Sequence, residues 1–139
     1  ELELADIKKP MLYVLNIRAE HRTKNIEQSW LVVDAKTGEG VDNLIKKAYE
    51  LLGLITFYTI KGGKEITAWT LKKGEIALSA AGKVHEDMAK GFIKAEVIKF
   101  EDLMAVGSWH QAKNLGKIRL EGRDYVVQDG DVVEFKFGT

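Results

Sequence analysis

Short apolar runs alternate with polar segments in the first third of the chain. The run MLYVLNI follows Pro10 and predicts a buried strand that ends near Asn16. A polar, unpatterned stretch predicts a loop or short helix, and SWLVVDA then predicts a second buried strand. Apolar residues recur at helical spacing from Val41 to Leu52, and Gly53 is a good stop signal. This order is typical of the last portion of an α/β domain.

From Leu54 the pattern becomes one of antiparallel strands. ITFYTI and EITAWTL predict a hairpin joined around Gly62 and Gly63, because both turn positions favour positive φ. The stretch ALSAAGKVHEDMAKGF predicts one helix with Gly91 as its C-cap. Its apolar stripe consists of small residues and two larger ones, suited to close packing on a sheet: Ala77, Ala80, Ala81, Val84 and Met88.

The remaining segments predict further strands and one more helix. FIKAEVIKF alternates, as does the terminal strand, and the residues predicted to share a face are Ile93, Ala95 and Val97 in the former and Val133, Phe135 and Phe137 in the latter. Ser108 and Gln111 match a capping box before a helix that Gly116 closes. The pattern therefore predicts two domains, residues 1–53 and 54–139. The second is α+β and compatible with a β-grasp (ubiquitin-like) sheet crossed by one helix.

Composition narrows the possible functions. Lys plus Arg and Asp plus Glu both number 21, so global charge does not indicate a nucleic-acid binder and no DNA specificity is expected. The chain has no cysteine, which excludes thiolate chemistry and fits a reducing compartment. No apolar run reaches the roughly 18 residues of a membrane span, and the start ELELADIKKP is not a secretory signal. It also lacks an initiator methionine, which fits a fragment.

The sequence evidence for a metal-binding or catalytic site is weak. His85 is followed by Glu86 and Asp87, but a helical metal pair needs a second ligand three or four residues on, where Met88 and Ala89 stand. A surface or half-buried histidine is therefore predicted, and no metal. No serine lies in an elbow motif and no triad is defined, the residues considered being Ser29, Ser79, Ser108, His21, His85 and His110. No catalytic residue is predicted.

A cluster of lysines marks a candidate RNA or partner surface. The lysines lie at the hairpin tip and at the exit of its second strand: Lys61, Lys64, Lys72 and Lys73. Tyr58 and Trp69 share a side of the hairpin if Gly62–Gly63 is a two-residue turn, so bases could stack on them while lysines hold phosphates. Residues 54–139 carry 13 basic and 12 acidic side chains, a net charge of only +1, so core aromatics and ordinary surface lysines explain the pattern about as well.

The glycine-rich segment AKTGEG precedes the first helix. The phosphate-loop motif G-x-x-x-x-G-K-[ST] is absent from the chain. A turn of this kind could still present backbone N–H groups to a ligand. A plain strand-to-helix turn with Asp42 near the N-cap is at least as well supported.

Three long segments resemble a known family. TAWTLKKG, AAGKVHEDMAKGFIKAEV and LEGRDYVVQDGDVVEF are similar to the C-terminal TGS domain of the YchF/Obg-like ATPases, and the similarity extends over about Leu51 to Phe137. The resemblance implies a β-grasp TGS domain, a cytoplasmic location, and the ribosome or structured RNA as partner. Protein–protein docking without RNA contact is the alternative.

The upstream third resembles the closing portion of the family's nucleotide-binding G domain. Asn16 matches the base-recognition asparagine, and Asp34–Gly38 resembles the SAK loop, with Ala35 at the position whose backbone N–H meets the base. The family's N-x-x-E motif would place an acid at position 19, but Ala19 stands there and Glu20 is one place late. The resemblance thus implies nucleotide-base contacts for Asn16 and Ala35.

The P-loop, switch regions and magnesium-binding residues of that family have no counterpart in the sequence. We therefore expect no enzyme activity and no cofactor for this chain. ATP or GTP with Mg²⁺ is implied only for a full-length parent protein.

Overall fold

A computed structural model describes residues 10–18 and 30–139. It divides into two compact units, one ending at Gly53 and the other beginning at Leu54. The polar segment that begins at Ala19, with Glu20, His21 and Ser29, lies outside the described residues.

The first unit contains the predicted strands and helix. Strands β1 (Val14–Asn16) and β2 (Leu31–Val33) pair in parallel, and helix α1 spans Val41–Leu52. Gly40 precedes the helix as its N-cap, and Gly53 ends it in the left-handed conformation at φ 65°. No residue of α1 is fully buried: Ile45, Leu51 and Leu52 are exposed, whereas Val41, Leu44 and Ala48 are partly buried.

The second unit is built on a five-stranded mixed sheet. Its strands are β3 (Leu54–Lys61), β4 (Glu65–Lys72), β5 (Phe92–Lys99), β6 (Arg119–Glu121) and β7 (Asp131–Phe137). They lie side by side in the order β4-β3-β7-β5-β6. The β3–β7 pair is parallel and the other pairs are antiparallel. First and last strands that run in parallel at the sheet centre, with a helix after the first hairpin, are the β-grasp arrangement, so the predicted α+β fold is confirmed.

The predicted long helix is two helices. Helix α2 spans Ala77–Val84 and α3 spans Glu86–Lys90, with His85 extended between them at φ −161°. The His85 Nδ1 atom accepts a hydrogen bond from the Asp87 backbone N–H at 3.2 Å and so caps α3. The single-helix prediction was wrong because this side-chain cap satisfies the start of a second helix at the position where the first ends.

The small-residue stripe nevertheless packs as expected on one face of the sheet. Ala77, Ala80 and Ala81 are buried, and Val84 and Met88 are partly buried against the same cluster. The sheet residues of this cluster come mainly from alternate positions of the strands, among them Ile55, Phe57, Leu71, Ala95, Val97, Val133 and Phe135. This cluster is the main core of the second unit.

The opposite sheet face is also covered. Helices α4 (Phe100–Val106) and α5 (Trp109–Asn114) contribute Leu103, Trp109 and Ala112 to a second buried cluster with Ile60, Ile98 and Val132. Ser108 caps α5, because its Oγ atom accepts from the Gln111 N–H at 3.2 Å, as predicted. Helix α4 was not predicted. Its presence makes this domain a sheet with helices on both faces instead of one.

Two predicted strand positions differ in the structure. Ile93 is 65% exposed, because the β5–β7 register shifts between Phe92 and Lys94. Phe137 is 41% exposed although Val133 and Phe135 on the same strand are buried. Both residues lie at the end of the sheet where β5 begins and β7 ends, and neither belongs to the buried cluster that the helices cover.

Candidate functional site

The carboxyl ends of β1 and β2 bring the two predicted base-recognition residues together. Because the strands are parallel, Asn16 and the loop after Val33 lie at the same edge. The Asn16 Oδ1 atom accepts a hydrogen bond from the Ala35 backbone N–H at 3.0 Å. Both residues are exposed, so this edge is open to a ligand.

Asp34 shapes the loop that carries Ala35. It is buried, and its Oδ1 atom accepts from the backbone N–H groups of Lys36 at 2.9 Å and Thr37 at 3.2 Å. The Gly38 N–H returns to the Asp34 carbonyl at 2.8 Å. An aspartate that binds N–H groups two and three residues on holds a tight turn. Asp34 is therefore a positioning residue that the sequence prediction did not single out.

The polar groups described at this edge are bonded to one another. The Asn16 carboxamide accepts from the Ala35 N–H, and the N–H groups of Lys36 and Thr37 donate to Asp34, which leaves the Asn16 amide NH₂ as a donor without a described partner. The residue that would replace the missing base-recognition acid, Glu20, lies outside the described residues. The sequence contains no phosphate-loop motif, so no group is identified here for a triphosphate or its Mg²⁺.

In the second unit, the four hairpin lysines form what we call the lysine surface: Lys61, Lys64, Lys72 and Lys73. All four are exposed, and none has an ion-pair partner within 4.0 Å among the residues that the structure describes. They form two pairs at opposite ends of β4. Glu65, opposite Lys61, is seven residues along the strand from Lys72, which is roughly 24 Å.

The tip of the hairpin is longer than predicted. Lys61 pairs with Glu65, so Gly62, Gly63 and Lys64 all belong to the loop. Both glycines have positive φ, at 58° and 71°, as expected. A Cβ built on Gly63 would lie 3.5 Å from the Trp109 Cβ, so the tip rests against helix α5.

The extra loop residue separates the two predicted stacking residues. Trp69 lies opposite Phe57 and Tyr58 lies opposite Ala68, which places the two aromatic rings on different faces of the sheet. The prediction that they share a side was wrong because it rested on a two-residue turn. A one-residue change of register moves every side chain of β4 to the other face.

Each of these aromatic residues already has a partner within the fold. The Trp69 Nε1 atom donates to Thr59 Oγ1 at 2.9 Å, and its ring packs against the main core. The Tyr58 ring lies 5.0 Å from that of Phe100 in the second cluster. Both are half-buried, so the described geometry gives them packing roles first.

The histidine–acid segment does not form a metal centre in the structure. Glu86 pairs with Lys90 at 2.7 Å, and the His85 side chain is 64% exposed. Across residues 10–18 and 30–139, no three His, Cys, Asp or Glu side chains are grouped so that they could hold a metal ion. Within the same ranges, no helix has the length and apolar character needed to cross a membrane.

A buried carboxylate that the sequence prediction missed holds the last loop against the sheet. Asp131 is fully buried, and its Oδ2 atom accepts from the Tyr125 hydroxyl at 2.7 Å and the Gln128 N–H at 2.8 Å. The Lys99 Nζ atom lies 2.8 Å from Oδ1, an ion pair without the alignment of a hydrogen bond. Arg119 donates to the Tyr125 hydroxyl at 3.1 Å. We call these side chains the Asp131 network.

The surroundings of Tyr125 raise the pKa of its hydroxyl. Burial, followed by the hydrogen bond to Asp131, raises the pKa of Tyr125 above its ordinary value of 10.0, while Arg119 opposes part of the rise. The hydrogen bond to Tyr125 is in turn the main cause that raises the pKa of Arg119. The network joins β5, β6 and β7 to the loop that carries Tyr125 and Gln128, which gives it a structural role.

Comparison with known proteins shows which family the chain matches. The profile of the family YchF-GTPase_C, described as a protein of unknown function (DUF933), matches residues 54–138. The Ribosome-binding ATPase YchF of Bacillus subtilis (strain 168) is 54% identical over 100 residues, which are 72% of this chain and 27% of that protein. Obg-like ATPase 1 of Homo sapiens is 42% identical over 128 residues, which are 92% of this chain and 31% of that protein.

A solved structure shows the same fold. The structure of the Schizosaccharomyces pombe YchF GTPase superposes with a TM-score of 0.61 at 32% identity, covering 68% of this chain and 25% of that one. The chain therefore spans about a quarter to a third of the length of the relatives named here.

Proposed function

The chain belongs to the YchF family, as a C-terminal part of such a nucleotide-binding protein, and on this premise we propose that its second unit docks on the ribosome through RNA phosphates. The observation that carries the proposal is the lysine surface. Its four exposed ammonium groups have no described carboxylate partner, so they are available to an external anion. The name of the Bacillus subtilis relative, a ribosome-binding ATPase, supports the ribosome as the source of that anion.

The charge distribution of the second unit supports a local role for these lysines. Five other basic residues of the unit lie within 4.0 Å of carboxylates, namely Lys90 with Glu86, Lys99 with Asp131, Lys113 with Glu96, Arg119 with Glu121 and Lys136 with Glu134. Among the described residues, Lys83, Lys94, Lys117 and Arg123 have no such partner, like the four hairpin lysines. The near-zero net charge therefore conceals two pairs of unneutralised lysines, one at each end of β4. Local positive charge of this kind can direct binding even when global charge does not.

For the first unit we propose the base-binding end of a parent protein's nucleotide site. The Asn16–Ala35 hydrogen bond at the open strand edge supports this proposal. The triphosphate and Mg²⁺ would be held by parts of a parent protein with the family's P-loop, which would make that parent an ATPase or GTPase. We place the parent in the cytoplasm, where ribosomes are found.

Charge reversal tests the docking proposal. Changing Lys61, Lys64, Lys72 and Lys73 together to Glu should weaken co-sedimentation with purified ribosomes by about tenfold or more, because attraction to phosphate becomes repulsion. A control with the same change in net charge reverses four other exposed basic residues, namely Lys46, Lys83, Lys117 and Arg123. Equal sedimentation of the lysine-surface variant and the control would contradict the proposal.

Nuclease treatment separates RNA from protein as the docking partner. Ribosomal material captured by the full chain should be released when its RNA is digested. Ribosomal proteins that stay bound after complete digestion would favour the alternative of protein docking.

A further inference from the structure

Among the strands of residues 10–18 and 30–139, β4 is an outer strand of the sheet, and no described strand lies on its far side. Ile66 is 41% exposed, and Thr67 and Ala68 beside it are also exposed. Exposed outer strands present backbone groups to which another strand can add.

The direction of these backbone groups follows from the hydrogen bonds of β3. The Thr56 N–H donates to Asp129 Oδ1 at 2.9 Å and its carbonyl accepts from Gly130 N at 2.8 Å, so Thr56 directs its backbone away from β4. Tyr58, two residues after Thr56, pairs with Val132 of β7 and likewise directs its backbone away from β4. In an antiparallel pair, the backbone N–H and C=O groups of two opposite residues either both point toward the partner strand or both point away from it. Ala68, opposite Tyr58, therefore directs its N–H and carbonyl outward.

Ile66, two residues before Ala68, points the same way, because backbone direction alternates along a strand. The open edge thus offers two N–H donors and two carbonyl acceptors at the spacing of a β-strand. A polypeptide supplies both complementary types of group at this spacing, whereas phosphates supply acceptors only. The side chains of Ile66 and Ala68 add a small apolar surface on the same stretch.

The charges at the two ends of the open edge indicate which kind of strand can pair with β4. The lysine surface places ammonium groups at both ends of the open edge, beside Glu65 and after Leu71. Antiparallel pairing of β4 with a second copy would bring Lys64 of one copy toward Lys72 of the other, which like charges disfavour. A strand with carboxylates at both ends has the complementary charge.

We propose that the outer edge of β4 binds an extended polypeptide segment that carries acidic residues at both ends. The added strand pairs with the backbone of Ile66 and Ala68, and its carboxylates contact the lysine surface. This inference goes beyond the proposed RNA contact, since it concerns the backbone between the two lysine pairs and a polypeptide partner. Because both partners use the same four lysines, the polypeptide and the RNA phosphates compete for this surface.

The test uses the full chain and a short synthetic peptide of alternating valine and threonine with aspartates at both ends. Titration should slow amide hydrogen exchange at Ile66 and Ala68, measured residue by residue by NMR. The same peptide with lysines at both ends should bind at least about tenfold more weakly. A lack of protection at these amides, equal binding of the two peptides, or equal protection by an RNA oligonucleotide would overturn the inference.

Proline variants isolate the backbone contribution. Ala68→Pro removes an outward N–H and no hydrogen bond to β3, and edge strands tolerate proline at such positions. It should weaken peptide binding about tenfold, whereas Ala68→Ser should not. Ile66→Pro provides a second variant with the same expectation, and thermal unfolding verifies that each variant folds. Undiminished peptide binding by a folded proline variant would overturn the inference, while ribosome sedimentation of that variant, with all four lysines intact, reports separately on the proposed function.

Discussion

Asp131 is the residue on which the last loop of the second unit depends. Its carboxylate is fully buried and receives the Tyr125 hydroxyl, the Gln128 N–H and the Lys99 ammonium. A buried charge of this kind is stable only while its partners remain, because removal of one leaves charge uncompensated in a poorly solvated site. This dependence makes single-atom changes at the network informative.

Tyr125→Phe removes one hydrogen bond and little volume. We expect the free energy of unfolding to fall by about 1–3 kcal/mol, because Asp131 loses a buried donor. Urea denaturation measures the change. Tyr58→Phe is the matched control, since no hydrogen-bond partner of the Tyr58 hydroxyl is found in the described part of the chain, and it should change stability by less than about 0.5 kcal/mol. Equal effects of the two variants would contradict the role given to the network.

The same tyrosine predicts a pH dependence. Its folded-state pKa is raised above 10.0, so the protonated phenol is favoured in the folded protein. The unfolded state then loses its proton first, and the stability advantage of the native protein over Tyr125→Phe should be full below about pH 10 and decline as pH rises further. Denaturant titrations of both proteins at a series of alkaline pH values measure this. A difference that stays constant or grows through that range would refute the assignment.

At the scale of elements, local patterns indicated most strands and helices but not the details that place side chains. The two glycines predicted the hairpin, yet nothing local showed that Lys64 joins the loop, and this one residue decides the face of Trp69. The break at His85 depends on a side-chain cap that competes with an equally good helical pattern. Helix α4 follows β5 without a loop, so no turn residue in the sequence marks where the helix begins.

The packing of α2 on the sheet yields a prediction for that element. Ala80 is a residue of α2 that is fully buried between this helix and the sheet, so Ala80→Leu must displace the sheet or the helix. We expect a loss of about 1–3 kcal/mol in the free energy of unfolding. Ser79→Leu places the same side chain on the exposed side of the same helix and should be nearly neutral. Thermal or urea unfolding compares the two, and an equal loss for both would show that α2 does not bury this stripe.

At the scale of the whole molecule, the balance of 21 basic and 21 acidic residues conceals an uneven distribution. The sequence indicated the four lysines, but the structure shows that five other cations of the unit are paired with carboxylates and that these four lie as two pairs at opposite ends of β4. The predicted base-recognition residues also needed the structure, because the parallel pairing of β1 and β2 is what brings Asn16 to Ala35. The ion pairs of Lys99 with Asp131 and of Lys113 with Glu96, and the parallel pairing of β1 with β2, join segments that are distant in sequence, which is why they could not be predicted from local sequence.

The salt dependence of ribosome binding tests the central claim most directly. If each residue of the lysine surface neutralises one RNA phosphate, log–log plots of ribosome affinity against salt concentration should have a slope about 3 units shallower for the variant with all four lysines changed to alanine. The matched variant that changes Lys46, Lys83, Lys117 and Arg123 to alanine should keep the slope of the unmodified chain. Identical slopes for the unmodified chain and the lysine-surface variant would contradict the account.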